Sequence, residues 1–293
     1  MKVISPVLVG LCLAAACSLA AVAQDQSMGA APVPKVLQVS REFTKPGKGG
    51  AAHDRSESAF VQAMTRAKSP THYIAFNALT GKNRAVFMTG FDSFAAWEKD
   101  NDSVAKNATL AADLDRAYAA DGELLEDVDT AVFTYDEDLS YRASGDLSHV
   151  RYLETSTFHV KPGHGKEFSE LVKLYIDLNK KAGTNATWAT FELQYGGNAG
   201  TYLMLSGDKS LANIDAGFGD EKKIDAILTD EDKTKLRTLR ADSLESEVDQ
   251  LLAINPKQSY VGEEWIKSNP DFWKPKAAAV AAAKPAADKT AKK

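Results

Sequence analysis

An internal repeat constrains the fold of this chain more than any other feature of its 293 residues. Val39–Gly47 reads VSREFTKPG and Thr155–Gly163 reads TSTFHVKPG, so a strand-like run ends twice in Lys-Pro-Gly, 116 residues apart. Met88 and Met204 lie in short apolar runs at the same offset. Self-similarity at a fixed period indicates one supersecondary unit present twice.

The two copies have the same order of predicted elements. In the first copy, the strand-like Val36–Phe43 precedes a helix-like run from about Ala51 to Ala67, a hairpin around Thr80–Asn83, two further helix-like runs and a closing strand. The second copy repeats this order from about Val150 to Tyr260. A β-α-β-β-α-β order predicts an antiparallel four-stranded sheet with helices on one face.

This order resembles the dimeric α/β-barrel superfamily, whose ferredoxin-like units pair sheet to sheet to close a barrel. The resemblance covers residues 36–261, and its one local motif is the strand–Lys-Pro-Gly–helix junction. It implies an α+β fold in which two ferredoxin-like repeats of one chain form an intramolecular barrel, because a single repeat would leave one sheet face bare in water. Members of this superfamily include cofactor-independent monooxygenases and isomerases, and some hold haem through a histidine. Fold alone does not determine which activity applies.

The ends of the chain differ in composition from its body. Lys2, the apolar run Val7–Leu19 and Ala21-Val22-Ala23 are typical of a cleaved export signal, which predicts a periplasmic or secreted protein. A lipoprotein signal acylated at Cys17 is the alternative. Seven segments are predicted: signal peptide 1–23, linker 24–35, first ferredoxin-like repeat 36–142, joint 143–149, second ferredoxin-like repeat 150–261, C-terminal extension 262–273 and a disordered Lys/Ala/Pro tail 274–293.

Charge and hydropathy restrict the partners. Residues 24–273 contain 28 basic and 39 acidic side chains, which argues against nucleic-acid binding, since such binding requires neutralisation of phosphates. The signal-like apolar run is too short for a transmembrane segment. The tail has six lysines and one aspartate, and it is predicted either to be simply solvated or to contact an anionic envelope surface. The sequence does not determine the oligomeric state.

Residue alternation along the strands predicts which side chains enter the barrel. Placing Ala189, Phe191 and Leu193 against the helices leaves a polar and aromatic lumen that suits a small molecule. The candidate ligand-binding residues are Trp188, Tyr202, Glu192, Glu154, Tyr73 and Asn77. Glu154 and Glu192 are also the candidate catalytic pair, because two carboxylates in a partly dry pocket raise one pKa. The alternatives are that the carboxylates bind water or a rim lysine and that the aromatic side chains only pack.

No cofactor site is predicted. None of the five histidines lies in a His-x-x-x-His or Glu-x-x-His motif, and His53 and His164 are assigned to the loops after Lys-Pro-Gly. Nucleotide-binding and serine-hydrolase motifs are absent from the sequence. The leading hypothesis is therefore an exported small-molecule-binding or envelope interaction module without catalysis. A cofactor-independent monooxygenase-like or isomerase-like enzyme is the alternative, and haem-dependent activity through His159 or His164 is the third hypothesis.

Overall fold

A computed structural model describes residues 32–274. The predicted signal peptide, most of the linker and the tail from residue 275 lie outside these residues. The strands of the described part are β1 (Val36–Thr44), β2 (Tyr73–Ala78), β3 (Arg84–Phe91), β4 (Leu125–Tyr141), β5 (Tyr152–Val160), β6 (Trp188–Tyr195), β7 (Thr201–Asp208) and β8 (Leu244–Ile254). Its helices are α1 (Ala51–Ala67), α2 (Phe94–Lys106), α3 (Ala108–Gly122), α4 (Gly165–Ala182), α5 (Leu211–Ile227), α6 (Asp230–Ser243), α7 (Glu263–Ser268) and α8 (Pro270–Trp273).

The eight strands close into one antiparallel barrel in the order β1-β3-β2-β8-β5-β7-β6-β4. Each repeat contributes four strands, and the repeats join where β2 pairs with β8 and where β4 pairs with β6. Closure leaves none of these eight strands with a free edge. The predicted fold, two ferredoxin-like repeats forming an intramolecular dimeric α/β barrel, is confirmed.

The barrel lumen is apolar, and the predicted polar and aromatic lumen is wrong. Leu37, Val39, Leu153, Phe191 and Leu203 belong to one buried cluster that draws on both repeats. Polar residues predicted to enter the lumen, such as Glu42 and Glu192, instead lie on the helix-facing side of the sheet. The physical reason is that all eight strands enclose the lumen, whereas helices cover the outer face only in part. Three of the four phenylalanines among the largest fully buried side chains, Phe76, Phe133 and Phe191, therefore occupy the more completely dehydrated side.

The first helix of each repeat ends in the same way. Lys68 after α1 and Gly183 after α4 both adopt left-handed backbone conformations, with φ of 50° and 61°. In both cases the cap backbone N–H groups satisfy two carbonyls of the last turn. These caps lie 115 residues apart and set the register in which the two helices correspond.

The short α7 and α8 close one end of the barrel. Trp273 is buried, and its indole N–H donates to the carbonyl of Ser148 at 3.0 Å, which fixes the segment to the joint between the repeats. The Arg151 guanidinium lies 3.6 Å from the centre of the Phe272 ring. No helix within residues 32–274 is long and apolar enough to cross a membrane.

Candidate functional site

Four side chains with metal-ligating groups meet between the sheet and the helices of the first repeat. They are Glu42 on β1, His53 and Glu57 on α1, and Asp121 near the end of α3. One ligand atom from each lies within 4.8 Å of the others. We call these four residues the histidine–carboxylate cluster.

The imidazole is the centre of the cluster. His53 Nε2 lies 3.1 Å from Glu42 Oε2, 3.4 Å from Asp121 Oδ1 and 3.7 Å from Glu57 Oε1. The side chains of His53, Glu57 and Asp121 are nearly inaccessible to solvent, at 3%, 4% and 2% exposure. Buried charges at this density require mutual pairing, protons or a cation.

Local structure brings these residues together from distant parts of the sequence. His53 and Glu57 are four residues apart, so they lie on one face of α1 one turn apart. Glu42 lies on the helix-facing side of β1, where its cross-strand neighbour on β3 is the small Ala85. Asp121 reaches the site because α3 packs against α1.

The surroundings shift the pKa values of two members in the same direction. Burial raises the pKa of Glu57 to about 9, and the charges of Glu42 and Asp121 add to the effect. Burial lowers the pKa of His53, but Asp121, Glu42 and Glu57 outweigh it and raise the value to about 10. At neutral pH the metal-free cluster therefore holds a proton on His53 and a proton on Glu57.

Two oxygens of the cluster have no hydrogen-bond partner in the described residues. They are Glu57 Oε1 and Asp121 Oδ1, and both are fully buried. On the far side of the imidazole, the Gln258 amide lies 3.4 Å from His53 Nδ1 and is itself 1% exposed. The atom beside Nδ1 is the Gln258 amide nitrogen, which also donates to Asp54 Oδ1 at 3.1 Å, so the amide is held against the ring and fixes its position.

Tyr73 is the one predicted site residue that lies beside the cluster. Its buried hydroxyl has no hydrogen-bond partner in the described residues. Burial raises its pKa, and the charges of Glu57 and Glu42 contribute to the rise. The tyrosine also lines a cavity at the α7 end of the barrel. It therefore adjoins both the cluster and that cavity.

The other predicted site residues lie apart from the cluster. Trp188 packs on Tyr141 with ring centres 5.2 Å apart, and its N–H donates to the Leu139 carbonyl at 2.9 Å. Tyr202 packs on Phe168 at 4.6 Å, and its hydroxyl lies 3.4 Å from Glu192 Oε1. Asn77 is exposed on β2. The ligand-binding roles of these residues stay predictions.

The structure does not bring Glu154 and Glu192 together. They lie on β5 and β6 with β7 between them, opposite Ser206 and Tyr202 respectively. Glu154 has a different carboxylate neighbour, Asp208, and burial together with this neighbour raises the pKa of Glu154 to about 7.

A cavity of about 680 Å³ lies at the α7 end of the barrel. Apolar side chains dominate its wall, including Leu37, Ile74, Met88, Phe191 and Trp265. Its volume falls in the range of small-molecule sites, about 300–1,000 Å³. The space is therefore suited to an apolar molecule.

Sequence comparisons give no relative: no protein-family model matches the chain, and no curated protein matches it. Solved structures do match. A protein named "putative monooxygenase" from Fusobacterium nucleatum subsp. nucleatum has 13% identity over 76% of this chain and 93% of its own, with a TM-score of 0.50. An anthrone oxidase-like protein has 13% identity over 78% and 95%, with a TM-score of 0.48. A haem-binding protein from Thermus thermophilus has 11% identity over 80% and 98%, with a TM-score of 0.41.

At 13% identity the match to the fusobacterial protein shows a shared fold, which in this chain is the dimeric α/β barrel. Two sequence-based predictions are wrong. The leading hypothesis of a non-catalytic module with a polar and aromatic lumen fails because the lumen is apolar and the fusobacterial protein of matching fold is named a monooxygenase. The expected lack of any cofactor is wrong because a buried set of four metal-ligating side chains is present among the described residues.

Sequence reasoning missed all four cluster residues. The sequence pattern places His53 in an exposed loop, whereas it lies in the first turn of α1 at 2% exposure. The available signal was His53-x-x-x-Glu57, an i, i+4 pair of metal-ligating types on a predicted helix. Glu42 and Asp121 carried no local signal, because only the packing of β1 and α3 on α1 brings them near.

Proposed function

We propose that this protein is a metal-dependent enzyme that holds one divalent transition-metal ion in the histidine–carboxylate cluster. The observation that carries the proposal is the convergence of four ligand atoms within 4.8 Å in a buried site. Their separations from His53 Nε2, 3.1 to 3.7 Å, are close to the edge of a tetrahedron of ligands at about 2.1 Å from one ion, roughly 3.4 Å.

Charge supports a divalent ion. Three carboxylates and a neutral imidazole carry three negative charges, and a divalent ion would reduce this to one. The metal-free cluster reaches the same net charge by protonating His53 and Glu57, whose pKa values are raised. A divalent ion and two protons each reduce the same excess negative charge of the cluster. They therefore compete, and metal binding should release protons.

The donor set restricts the metal. One imidazole with three carboxylates suits Mn²⁺, Fe²⁺ or Zn²⁺, whereas Cu⁺ prefers thiolates and thioethers. Both cysteines of the chain, Cys12 and Cys17, lie in the predicted signal peptide.

The substrate space is the apolar cavity at the α7 end. Tyr73 lines this cavity and the charges of Glu57 and Glu42 contribute to its raised pKa, so we propose Tyr73 as the residue that connects the cavity with the cluster. The reaction that we propose is oxidation of a small, mainly apolar phenol, quinol or anthrone by O₂, in which the substrate itself supplies the electrons and hydrogens that reduce O₂ to peroxide or water; the name of the fusobacterial neighbour supports it. Because fold does not determine chemistry, the reaction has to be measured directly.

Metal stoichiometry tests the site. Calorimetric titration of chelator-treated protein with Mn²⁺ and Zn²⁺, and anaerobically with Fe²⁺, should show one ion per chain. His53→Ala and Glu57→Gln should each weaken binding by about tenfold or more. The matched control is Glu154→Gln, a carboxylate on the helix-facing side of the other repeat, which should bind as the native protein does. Equal affinity in the native and His53→Ala proteins would remove the proposed metal site.

Oxygen consumption tests the reaction. The protein loaded with Fe²⁺ or Mn²⁺ should consume O₂ with at least one member of a panel of phenols, quinols and anthrones, and the Zn²⁺-loaded protein should not, because Zn²⁺ has no redox chemistry. Metal removal and His53→Ala should abolish turnover, and Tyr73→Phe should reduce turnover while metal binding persists. Turnover that survives complete metal removal would restrict the metal to a structural role.

We also propose that the protein is exported, on the basis of residues 1–23. Fractionation of expressing cells and mass measurement of the mature chain should show cleavage before Gln24. A full-length cytoplasmic product would contradict export, and lipid on Cys17 would favour the lipoprotein alternative.

A further inference from the structure

A second cavity of about 480 Å³ opens at the opposite end of the barrel from α7. It lies where β1 and β5 end and where β3 begins, and we call it the Arg84 mouth. Four of its lining residues are basic or imidazole side chains: Arg41, Lys82, Arg84 and His159. No aspartate or glutamate is among the described residues that line it, although the chain has 40 acidic and 35 basic residues.

Arg84 is a buried cation without a carboxylate partner. The residue is 7% exposed, and no salt bridge to it forms within residues 32–274. One terminal nitrogen donates to the Lys82 carbonyl at 3.1 Å and the other donates to the Gln250 side chain. The buried Nε–H has no partner in the described residues. A buried guanidinium without a counter-ion is strongly unfavourable, and a bound anion would neutralise its charge.

Asp129, the acidic group whose charge acts on Arg84, is already engaged. Asp129 pairs with Arg41 at 2.6 Å. Lys82 Nζ and the Arg84 guanidinium carbon each lie 5.7 Å from the centre of the Phe43 ring, so both cations gather at one side of the mouth. The positive charge that remains uncompensated is that of Lys82 and Arg84.

The inner wall of the mouth is apolar. Phe133 is 2% exposed and belongs to the core cluster, and Leu193 packs against the same cluster. Both line the cavity. A hydrated inorganic anion has no apolar surface to pack against this wall. An organic anion has one, and its apolar part can cover the wall.

We propose that the Arg84 mouth binds a small organic carboxylate. The carboxylate pairs with the Arg84 guanidinium and with Lys82, and the apolar body of the molecule lies against Phe133 and Leu193. A guanidinium presents its N–H donors in a fixed fork that matches a carboxylate. This site is separate from the metal site, because Arg41 and Glu42 are consecutive on β1 and point to opposite faces of the sheet.

Benzoate is the probe, with benzyl alcohol as its neutral counterpart and inorganic phosphate as the alternative anion. Calorimetric titrations of the native protein at constant ionic strength should show saturable benzoate binding and no binding of benzyl alcohol. Arg84→Met should weaken benzoate binding about tenfold or more, since a charged hydrogen bond contributes roughly 1.5–3 kcal/mol. The matched control is Arg151→Met at the opposite end of the barrel, which should bind benzoate unchanged.

The opposite outcomes are equally defined. Undiminished benzoate binding in Arg84→Met, or no saturable binding by the native protein, would overturn the proposal. Phosphate binding without benzoate binding would also overturn it and leave an inorganic-anion site. Should Arg84→Met fail to fold, as judged by circular dichroism, the exposed Lys82→Ala becomes the decisive variant. Benzoate binding weakened severalfold in Lys82→Ala supports the site, and unchanged binding rejects it.

Discussion

The two repeats place different chemistry at the same point of the same fold. β1 and β5 are both nine residues long, and the helix caps Lys68 and Gly183 align α1 with α4. In this register Glu42, His53 and Glu57 correspond respectively to Phe158, Phe168 and Val172. The first repeat therefore has a charged cluster where the second has an apolar one.

The strand that pairs with β1 or β5 also differs between the repeats in the size of the side chain that it places beside this position. Phe168 packs on Phe158 with ring centres 5.5 Å apart and on Tyr202 at 4.6 Å, which fills the space beneath α4. Tyr202 is the cross-strand neighbour of Phe158, and the equivalent neighbour of Glu42 is Ala85. The small alanine leaves room for carboxylates and for an ion among them. The comparison teaches that a duplicated fold can keep one copy as a packing core and use the other as a site.

The largest expected effect tests the packing role assigned to the second repeat. Phe168→Ala should lower the free energy of unfolding by about 3–5 kcal/mol, because it removes a fully buried ring and leaves a cavity. Urea unfolding of the metal-free protein measures this change. His53→Ala at the equivalent position should also destabilise the metal-free protein, because it leaves buried carboxylates without their cationic partner. Unlike the loss in Phe168→Ala, this loss should shrink as pH falls and the carboxylates take up protons, and a loss in His53→Ala that is independent of pH would contradict the assigned roles.

Stabilisation by a bound metal ion tests the role assigned to the first repeat. At a free concentration about 100 times its dissociation constant, Mn²⁺ should raise the free energy of unfolding by about 2.7 kcal/mol. Phe168→Ala should retain this increment at its lower baseline, and His53→Ala should lose it. Thermal unfolding with and without a chelator measures the effect. An increment that persists in His53→Ala would locate the ion elsewhere.

The pH dependence of the metal-free protein follows from the same cluster. The folded-state pKa values of Glu57, about 9, and His53, about 10, exceed their ordinary values, so between about pH 6.5 and 9 the folded state holds protons that the unfolded state has released. Stability is therefore greatest at the acidic side of this window and declines as pH rises, by roughly 1.4 kcal/mol per pH unit for each such proton. Glu57→Gln should reduce the slope by about half. Denaturant titrations across the window measure it, and a rise in stability with pH would contradict this account.

The smallest effect concerns the carboxylate pair of the second repeat. Burial and the neighbouring Asp208 raise the pKa of Glu154 to about 7. Asp208→Asn should lower the pKa of Glu154 toward its ordinary value and leave Glu57 unaffected. Carbon-13 NMR titration of the glutamate carboxyl groups measures both. A Glu154 pKa that does not change in Asp208→Asn would assign the shift to burial alone.

Much of the architecture was predictable from the sequence, because the Lys-Pro-Gly junctions and the two matching orders of elements are local patterns. The direction of the strand faces was not. Alternation in β5 and β6 separates Leu153 and Phe191 from Glu154 and Glu192, but it does not say which set enters the barrel. Both faces of a helix-covered sheet can bury side chains. The polarity of the side chains alone therefore led to the wrong assignment of the lumen-facing and helix-facing sets.

The sequence by itself determined the duplication, the ferredoxin-like units and the need for the two sheets to cover each other, since each follows from periodicity and from the cost of exposing an apolar face. Only the tertiary structure decided that Glu42 and Asp121, 79 residues apart, meet His53 and Glu57. The interaction between buried charges depends on the distances between them in space. These distances are set only when α1 and α3 pack together over β1.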